Sequence, residues 1–420
     1  MNKPRPNRQP HEFGIESRDA SPDPNSSSFS QEMADIVGDD VGPLAGETES
    51  LAEAIEVFDD APPAPRPPRR LPGPGLPEAI AWTFAVLPIQ VIGAVFGVVL
   101  MFIVHIAAQK GASTFESEIT ENAGSSPVFM GGVQGVMVLV AVIAVILRLG
   151  PKNVARRLGI VGFPPKHLLI IALTMLPTII VCSQLHVGAT IVWEEVVEAV
   201  PQLKLLDDMQ TSEAIKPLIA SSPWWALMLL IAVAPAIGEE LIFRGIIGRG
   251  LLARWGLVPG IAITSFLFAI VHVHPAHAFA LLPLAVFMHV SYVATGSILA
   301  PMLIHFVNNG LSVTIIKAVE TMPAAEVLAD DAPPPMLFSL AATVVVVAAL
   351  GLLWKGRTRF VAPSGRYLTP GYITVEPPPA HLGAVRTFDR SPLSLTLLFA
   401  GGLLAFAAAA AIMGSGVDVP

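Results

Sequence analysis

Gly238-Glu239-Glu240-Leu241-Ile242-Phe243-Arg244 closes an apolar run that begins near Ser222 and passes through Trp224-Trp225-Ala226-Leu227-Met228-Leu229-Leu230-Ile231. A run of this length and apolarity reads as a membrane-spanning helix. Adjacent carboxylates inside such a helix are costly. A charged side chain at the bilayer centre is disfavoured by about 2.5–3.5 kcal/mol on insertion scales, so such groups have partners or a task. Helical spacing gives Glu240 a partner, Arg244, at i+4. Glu239 is turned about 100° away and has no partner within its own turn. One carboxylate is neutralised and one is left available.

The whole chain agrees with a membrane setting. Of its 420 residues, 53% are hydrophobic and only 14% charged; the mean hydropathy is +0.64. A soluble domain carries roughly 25% charge. The single cysteine, Cys182, lies in an apolar run. One cysteine excludes an intramolecular disulfide and a multi-cysteine zinc site, and Cys182 reads as helix packing. Net charge is −8, and nothing in its distribution suggests a nucleic-acid partner.

Residues 1–76 lack apolar periodicity and end in Ala61-Pro62-Pro63-Ala64-Pro65-Arg66-Pro67-Pro68-Arg69-Arg70. They read as a disordered, Pro-rich cytoplasmic tail with no signal peptide. Apolar segments follow at 79–107, 127–148, 167–192, 222–246, 257–274, 277–295, 298–318, 334–354 and 392–414. The expected fold is an all-α polytopic membrane bundle of about eight to nine transmembrane helices. Four regions are expected: the tail, N-terminal helices over 77–220, a core over 221–320, and C-terminal helices over 321–420 with a soluble cytoplasmic segment at 356–391.

Loop charges alternate. Arg66, Arg69 and Arg70; Arg148, Lys152, Arg156 and Arg157; Arg244, Arg249 and Arg254; and Lys355, Arg357, Arg359 and Arg366 mark one side. Glu116, Glu118 and Glu121; Glu194, Glu195 and Glu198; and Glu326, Asp330 and Asp331 mark the other. Basic loops face the cytoplasm, so the N-terminus is expected inside and the C-terminus outside. The acidic loop at 193–221 is expected to hold a short interfacial helix. The pattern is compatible with a bacterial inner membrane.

Two further polar sets lie in the core. Ser265, Phe268 and His272 share one helix face. Glu239 and His272 are equidistant from Trp255-Gly256, with Pro259 and Gly260 just beyond. A turn there puts a carboxylate and an imidazole at similar depth, as sharing one water requires. His305 and Asn309 are i,i+4 in His305-Phe306-Val307-Asn308-Asn309, after a break at Thr295-Gly296-Ser297. Each polar residue taken singly is also readable as an interhelical hydrogen-bond link. His274-Pro275 reads as a helix end, His277 fits no pattern, and His289 is a spare candidate. Ser265 has no separate base and reads as packing.

Glu239-Glu240-Leu241-Ile242-Phe243-Arg244, then Phe268-Ala269-Ile270-Val271-His272, then Thr-Gly-Ser followed by His305-Phe306-Val307-Asn308-Asn309 resembles the CPBP (CAAX protease and bacteriocin-processing, or Abi) intramembrane proteases, which include the Rce-type CAAX prenyl endopeptidases. The resemblance covers about 220–315. It implies an all-helical membrane peptidase acting on peptide or protein substrates at the bilayer. It implies Glu239 as the base that activates water, with His272 assisting. His305 and Asn309 would stabilise the oxyanion, and Glu240, Arg244 and Phe268 would support the site. The cofactor expectation stays open between none and zinc. Glu239, His272 and His305 would be the zinc ligands, yet no His-Glu-x-x-His is present.

The competing reading is a non-catalytic scaffold or transporter subunit, since intramembrane Glu and His also serve proton relays. No internal repeat or inverted pair of broken helices supports transport. For a peptidase, the closeness of Arg244, Arg249 and Arg254 predicts a Glu239 cavity open to the basic, cytoplasmic side.

Overall fold

The computed structural model describes residues 73–420 except 109–111, 153, 209–210, 321–333, 369–376, 379 and 415–420. The tail expected at 1–76 falls almost wholly outside the described residues. Among the described residues, eight helices are long and apolar enough to cross a membrane. They are α1 (Leu76–Ala107), α2 (Pro127–Leu149), α3 (Pro165–Ala199), α4 (Trp224–Trp255), α6 (Pro275–Thr295), α7 (Leu299–Glu320), α8 (Met336–Lys355) and α9 (Leu393–Gly414). A shorter apolar helix, α5 (Leu257–Ile270), lies between α4 and α6. The protein is an integral, multi-pass membrane protein of the all-α class.

Local chemistry sets the helix starts. Proline occupies the first position of α2, α3 and α6, where its missing N–H is one the helix leaves unpaired anyway. Ser126 adds a cap to α2, its Oγ accepting from Phe129 N at 3.3 Å. Pro88, Pro177 and Pro283 lie inside α1, α3 and α6, which membrane helices tolerate when neighbours satisfy the freed carbonyls.

Gly256, at φ +81°, makes the expected turn between α4 and α5. α5 has 14 residues, about 21 Å at 1.5 Å per residue, short of a bilayer core. Its far end turns through His272–His274 into α6. There His274 Nε2 meets Asp207 Oδ1 at 3.3 Å, and Trp193 Nε1 donates to the same oxygen at 2.7 Å. Two expectations change nearby. α3 continues to Ala199, so Glu194, Glu195 and Glu198 are helical rather than in a loop. The interfacial segment is then several short helical pieces, ending in Thr211–Ser221.

The segment 356–391 holds a small antiparallel sheet ordered β2-β1-β3, which composition did not reveal: β1 (Thr358–Val361), β2 (Tyr367–Leu368) and β3 (Val385–Phe388). In register, Phe360 lies opposite both Leu368 and Arg386. The sheet docks through backbone carbonyls. Arg386 donates to Gly162 O at 2.8 Å and to Thr295 O. Thr358 Oγ1 donates to Ala294 O at 2.9 Å. These bonds hold the α6–α7 break, where Gly296 sits at φ +60° and Ile298 N donates to Gly159 O at 3.2 Å.

Glycines let α1 and α2 touch. A β-carbon on Gly132 would lie 2.4 Å from Gly97 Cα, closer than atoms approach. Small residues at helix crossings are how membrane helices pack closely. Gly132→Val is expected to force these helices apart and destabilise the fold by about 1–3 kcal/mol. A lowered unfolding midpoint in detergent, with no change in retained helix content at low temperature, checks this.

Candidate active site

α4 is not a regular α-helix around its carboxylates. Met228–Val233 and Leu241–Gly248 are π-helical, with Ala234–Glu240 α-helical between them. Such widened turns recur at functional sites, because they turn side chains out of the regular register. Every residue from Glu240 to Leu252 is buried. The carboxylate pair therefore sits where α4 passes from partly exposed to fully enclosed.

The expected Glu240–Arg244 pair is present and fully buried: Arg244 Nη1 donates to Glu240 Oε1 at 2.7 Å, and both side chains are 0% exposed. Arg244 Nη2 donates to Ala285 O on α6 at 3.1 Å. Its guanidinium carbon lies 4.5 Å from the centre of the Phe268 ring on α5. Phe268 thus packs under the cation, a contact worth about 2 kcal/mol when desolvated.

His305 joins the two carboxylates. Its Nδ1 donates to Glu240 Oε1 at 3.0 Å, while Nε2 faces Glu239 Oε2 at 4.0 Å. The second distance is too long for a direct hydrogen bond. It is short enough for one water to touch both atoms. Glu239 keeps 23% of its side chain exposed, and its Oε2 has no hydrogen-bond partner. The residue that spacing leaves unpaired is unpaired in three dimensions as well.

His272 also packs against Phe268. The Phe268 ring is 5.3 Å from the His272 ring and 5.9 Å from the His305 ring, centre to centre. Among the described residues no hydrogen bond or ion pair joins His272 to Glu239. His272 Nδ1 lies 3.2 Å from Phe268 O. A carbonyl only accepts, so Nδ1 carries the proton and Nε2 keeps its lone pair. The next residue, Val273, has φ +65°, strained for a β-branched side chain.

Asn309 is less free than its motif suggests. Its Nδ2 donates to Ile231 O, inside the first π-helical stretch, at 2.9 Å, and its Oδ1 accepts from Asn308 at 3.1 Å. It ties α7 to α4. Asn309→Ala is expected to cost about 1 kcal/mol of stability from that lost bond, and a melting curve unchanged from wild type would contradict it.

The arginines that follow the Glu239 motif are bonded to backbone carbonyls. Arg249, only 2% exposed, donates to Arg157 O. Arg254 donates to Pro74 O at 2.9 Å and to Gly250 O at 3.1 Å. These guanidinium groups tie α4 to the segments at Pro74 and Arg157. The far end of α5 carries histidines that the sequence left without a role. The His277 ring is 5.5 Å from that of His272 and 6.0 Å from that of His186, and His274 stacks edge-on with Trp193 at 5.7 Å. Their only signal in the sequence was clustering near one turn.

Zinc fits poorly. Among the described residues no three His, Cys, Asp or Glu side chains are grouped to hold a metal ion. His272, the expected third ligand, has its Nδ1 on Phe268 O and makes no hydrogen bond or ion pair with Glu239 or His305 among the described residues. No step below is routed through a metal.

Fold and site together define a multi-pass helical membrane protein with a carboxylate–imidazole–guanidinium cluster enclosed by α4, α5, α6 and α7. Residues 221–311 match the family model described as type II CAAX prenyl endopeptidase Rce1-like. That segment carries every motif residue quoted above and is similar to the Rce1-like family, a similarity that points to a protease in general. No curated protein and no solved structure matches the chain.

Proposed function

We propose that this protein is an intramembrane endopeptidase that hydrolyses peptide bonds of membrane-associated, prenylated substrates. The supporting observation is the unpaired Oε2 of Glu239 at 4.0 Å from His305 Nε2. Glu239 takes a proton from a water held between these two atoms, and the water attacks the scissile carbonyl. General base catalysis of this kind contributes about 10²–10⁴-fold.

His305, anchored through Nδ1 on Glu240, donates from a protonated Nε2 to the developing oxyanion. The second N–H of the Asn309 amide supplies another donor. Removing one such donor costs about 2.7–4 kcal/mol in other proteases. His272, with Nδ1 bonded to Phe268 O, offers Nε2 to accept and return a proton. The core over 221–320 does the chemistry, and the flanking helices enclose it. The basic end faces the cytoplasm of a bacterial inner membrane, with the N-terminus inside.

The test is cleavage by the purified protein in lipid nanodiscs of quenched peptides carrying or lacking a prenyl group, with and without a zinc chelator. Cleavage confined to prenylated peptides and resistant to chelator is expected. Cleavage abolished by chelator and restored by zinc overturns the metal-free mechanism. Cleavage of no peptide favours a scaffold.

A further inference from the structure

His289 is fully buried on α6, at 0% exposure, and neither of its ring nitrogens has a hydrogen-bond partner. It lies one turn beyond Ala285, the residue whose carbonyl receives Arg244 Nη2. Its ring packs against Gly248: a β-carbon there would be 2.9 Å from His289 Cε1 and 3.2 Å from Nε2. Gly248 is one turn beyond Arg244, so the imidazole occupies the layer directly past the guanidinium, close enough for the charge of Arg244 to act on it.

That layer contains other polar atoms without partners. Arg244 Nε has none, and neither does Ser265 Oγ on α5. Ser265 is 1% exposed and lies one turn before Phe268, whose ring packs against the same guanidinium. Helical register thus puts a donor on Arg244, a donor–acceptor hydroxyl and an imidazole with one donor and one acceptor at one buried level of α4, α5 and α6. Buried polar groups of this kind are satisfied by protein or by ordered water. A buried water typically makes about three hydrogen bonds to groups otherwise unsatisfied.

We infer that His289 is a positioning residue for the site, linked to Arg244 Nε through enclosed water, with Ser265 completing the same water-binding layer. The link fixes the rotation of the guanidinium. Nη1 then stays on Glu240, Glu240 stays under His305, and Nε2 of His305 stays aimed at Glu239. A plain packing role for His289 predicts the opposite, since an apolar side chain in a buried membrane layer packs at least as well. The functional consequence rests on the peptidase reading, but the water link does not.

Two measurements separate these. In the first, full-length protein labelled with ¹⁵N-histidine in lipid bilayers is studied by solid-state NMR, with His289→Gln assigning the resonances. Transfer from bound water protons to the His289 nitrogens is expected. No transfer overturns the water link, whatever the activity. In the second, steady-state cleavage is compared for His289→Leu and His289→Gln. A leucine is expected to lower kcat by up to about 10²-fold, the scale of a slightly misplaced catalytic group, with KM unchanged. Glutamine, which still holds water, is expected to recover most of that loss. An unchanged kcat in His289→Leu overturns the positioning role. A water-linked ring in a protein that cleaves nothing leaves the water layer standing and removes the peptidase reading.

Discussion

Arg244→Met is expected to destabilise the protein by about 3–5 kcal/mol, because it leaves Glu240 as an uncompensated buried charge. Neither side chain of the pair touches bulk solvent, so bulk water does not replace the charge of the guanidinium. The substitution also removes the donor to Ala285 O and the cation above Phe268. Glu240→Met with Arg244→Met is expected to be less damaging than Arg244→Met alone, since two apolar groups replace two charges. His305 then loses its acceptor, so the double variant regains fold without regaining activity. Unfolding midpoints and the yield of monodisperse protein in detergent check this. Equal stability of wild type and Arg244→Met would contradict a buried ion pair.

His305→Leu is expected to lower kcat by about 10²–10⁴-fold, the range of a lost acid–base group. It removes both the bond to Glu240 at 3.0 Å and the Nε2 that faces Glu239 at 4.0 Å. The two roles separate by substitution. Asparagine places an amide N–H near the position of Nδ1 and nothing near Nε2. His305→Asn is therefore expected to keep most of the stability and to lose the activity. His305→Leu loses both, with about 1.5–3 kcal/mol from the charged hydrogen bond. Melting and cleavage measured on the same preparations check this, and an active His305→Asn would move the catalytic role away from Nε2.

Much of the architecture was legible because a bilayer imposes simple rules. Apolar windows near the length of a spanning helix gave segments that overlap α1 to α9, with α3 and α4 running on past their windows, and Gly256 marked the α4–α5 turn. The Glu240–Arg244 pair follows from helical spacing alone, so i,i+4 reasoning found it. Contacts between distant parts of the chain were not legible. His305 was expected to face the reacting carbonyl or a zinc ion. That it also donates to Glu240 depends on how α7 packs against α4. The role of Asn309 in holding Ile231 was hidden for the same reason, and because π-helical turns leave no composition signal. The strands at 358–388 are short and rich in arginine, so periodicity could not mark them. His289 looked like a spare residue because its meaning lies in what surrounds its nitrogens.

The central claim is that Glu239 activates the attacking water. It is tested most directly by single-turnover cleavage of one prenylated peptide by wild type and by Glu239→Gln, at matched concentrations of folded protein in nanodiscs. Glutamine keeps the size and polarity of the side chain but cannot accept the proton. A rate lower by about 10²–10⁴-fold with unchanged melting is the predicted result. A Glu239→Gln protein that cleaves at the wild-type rate would contradict it.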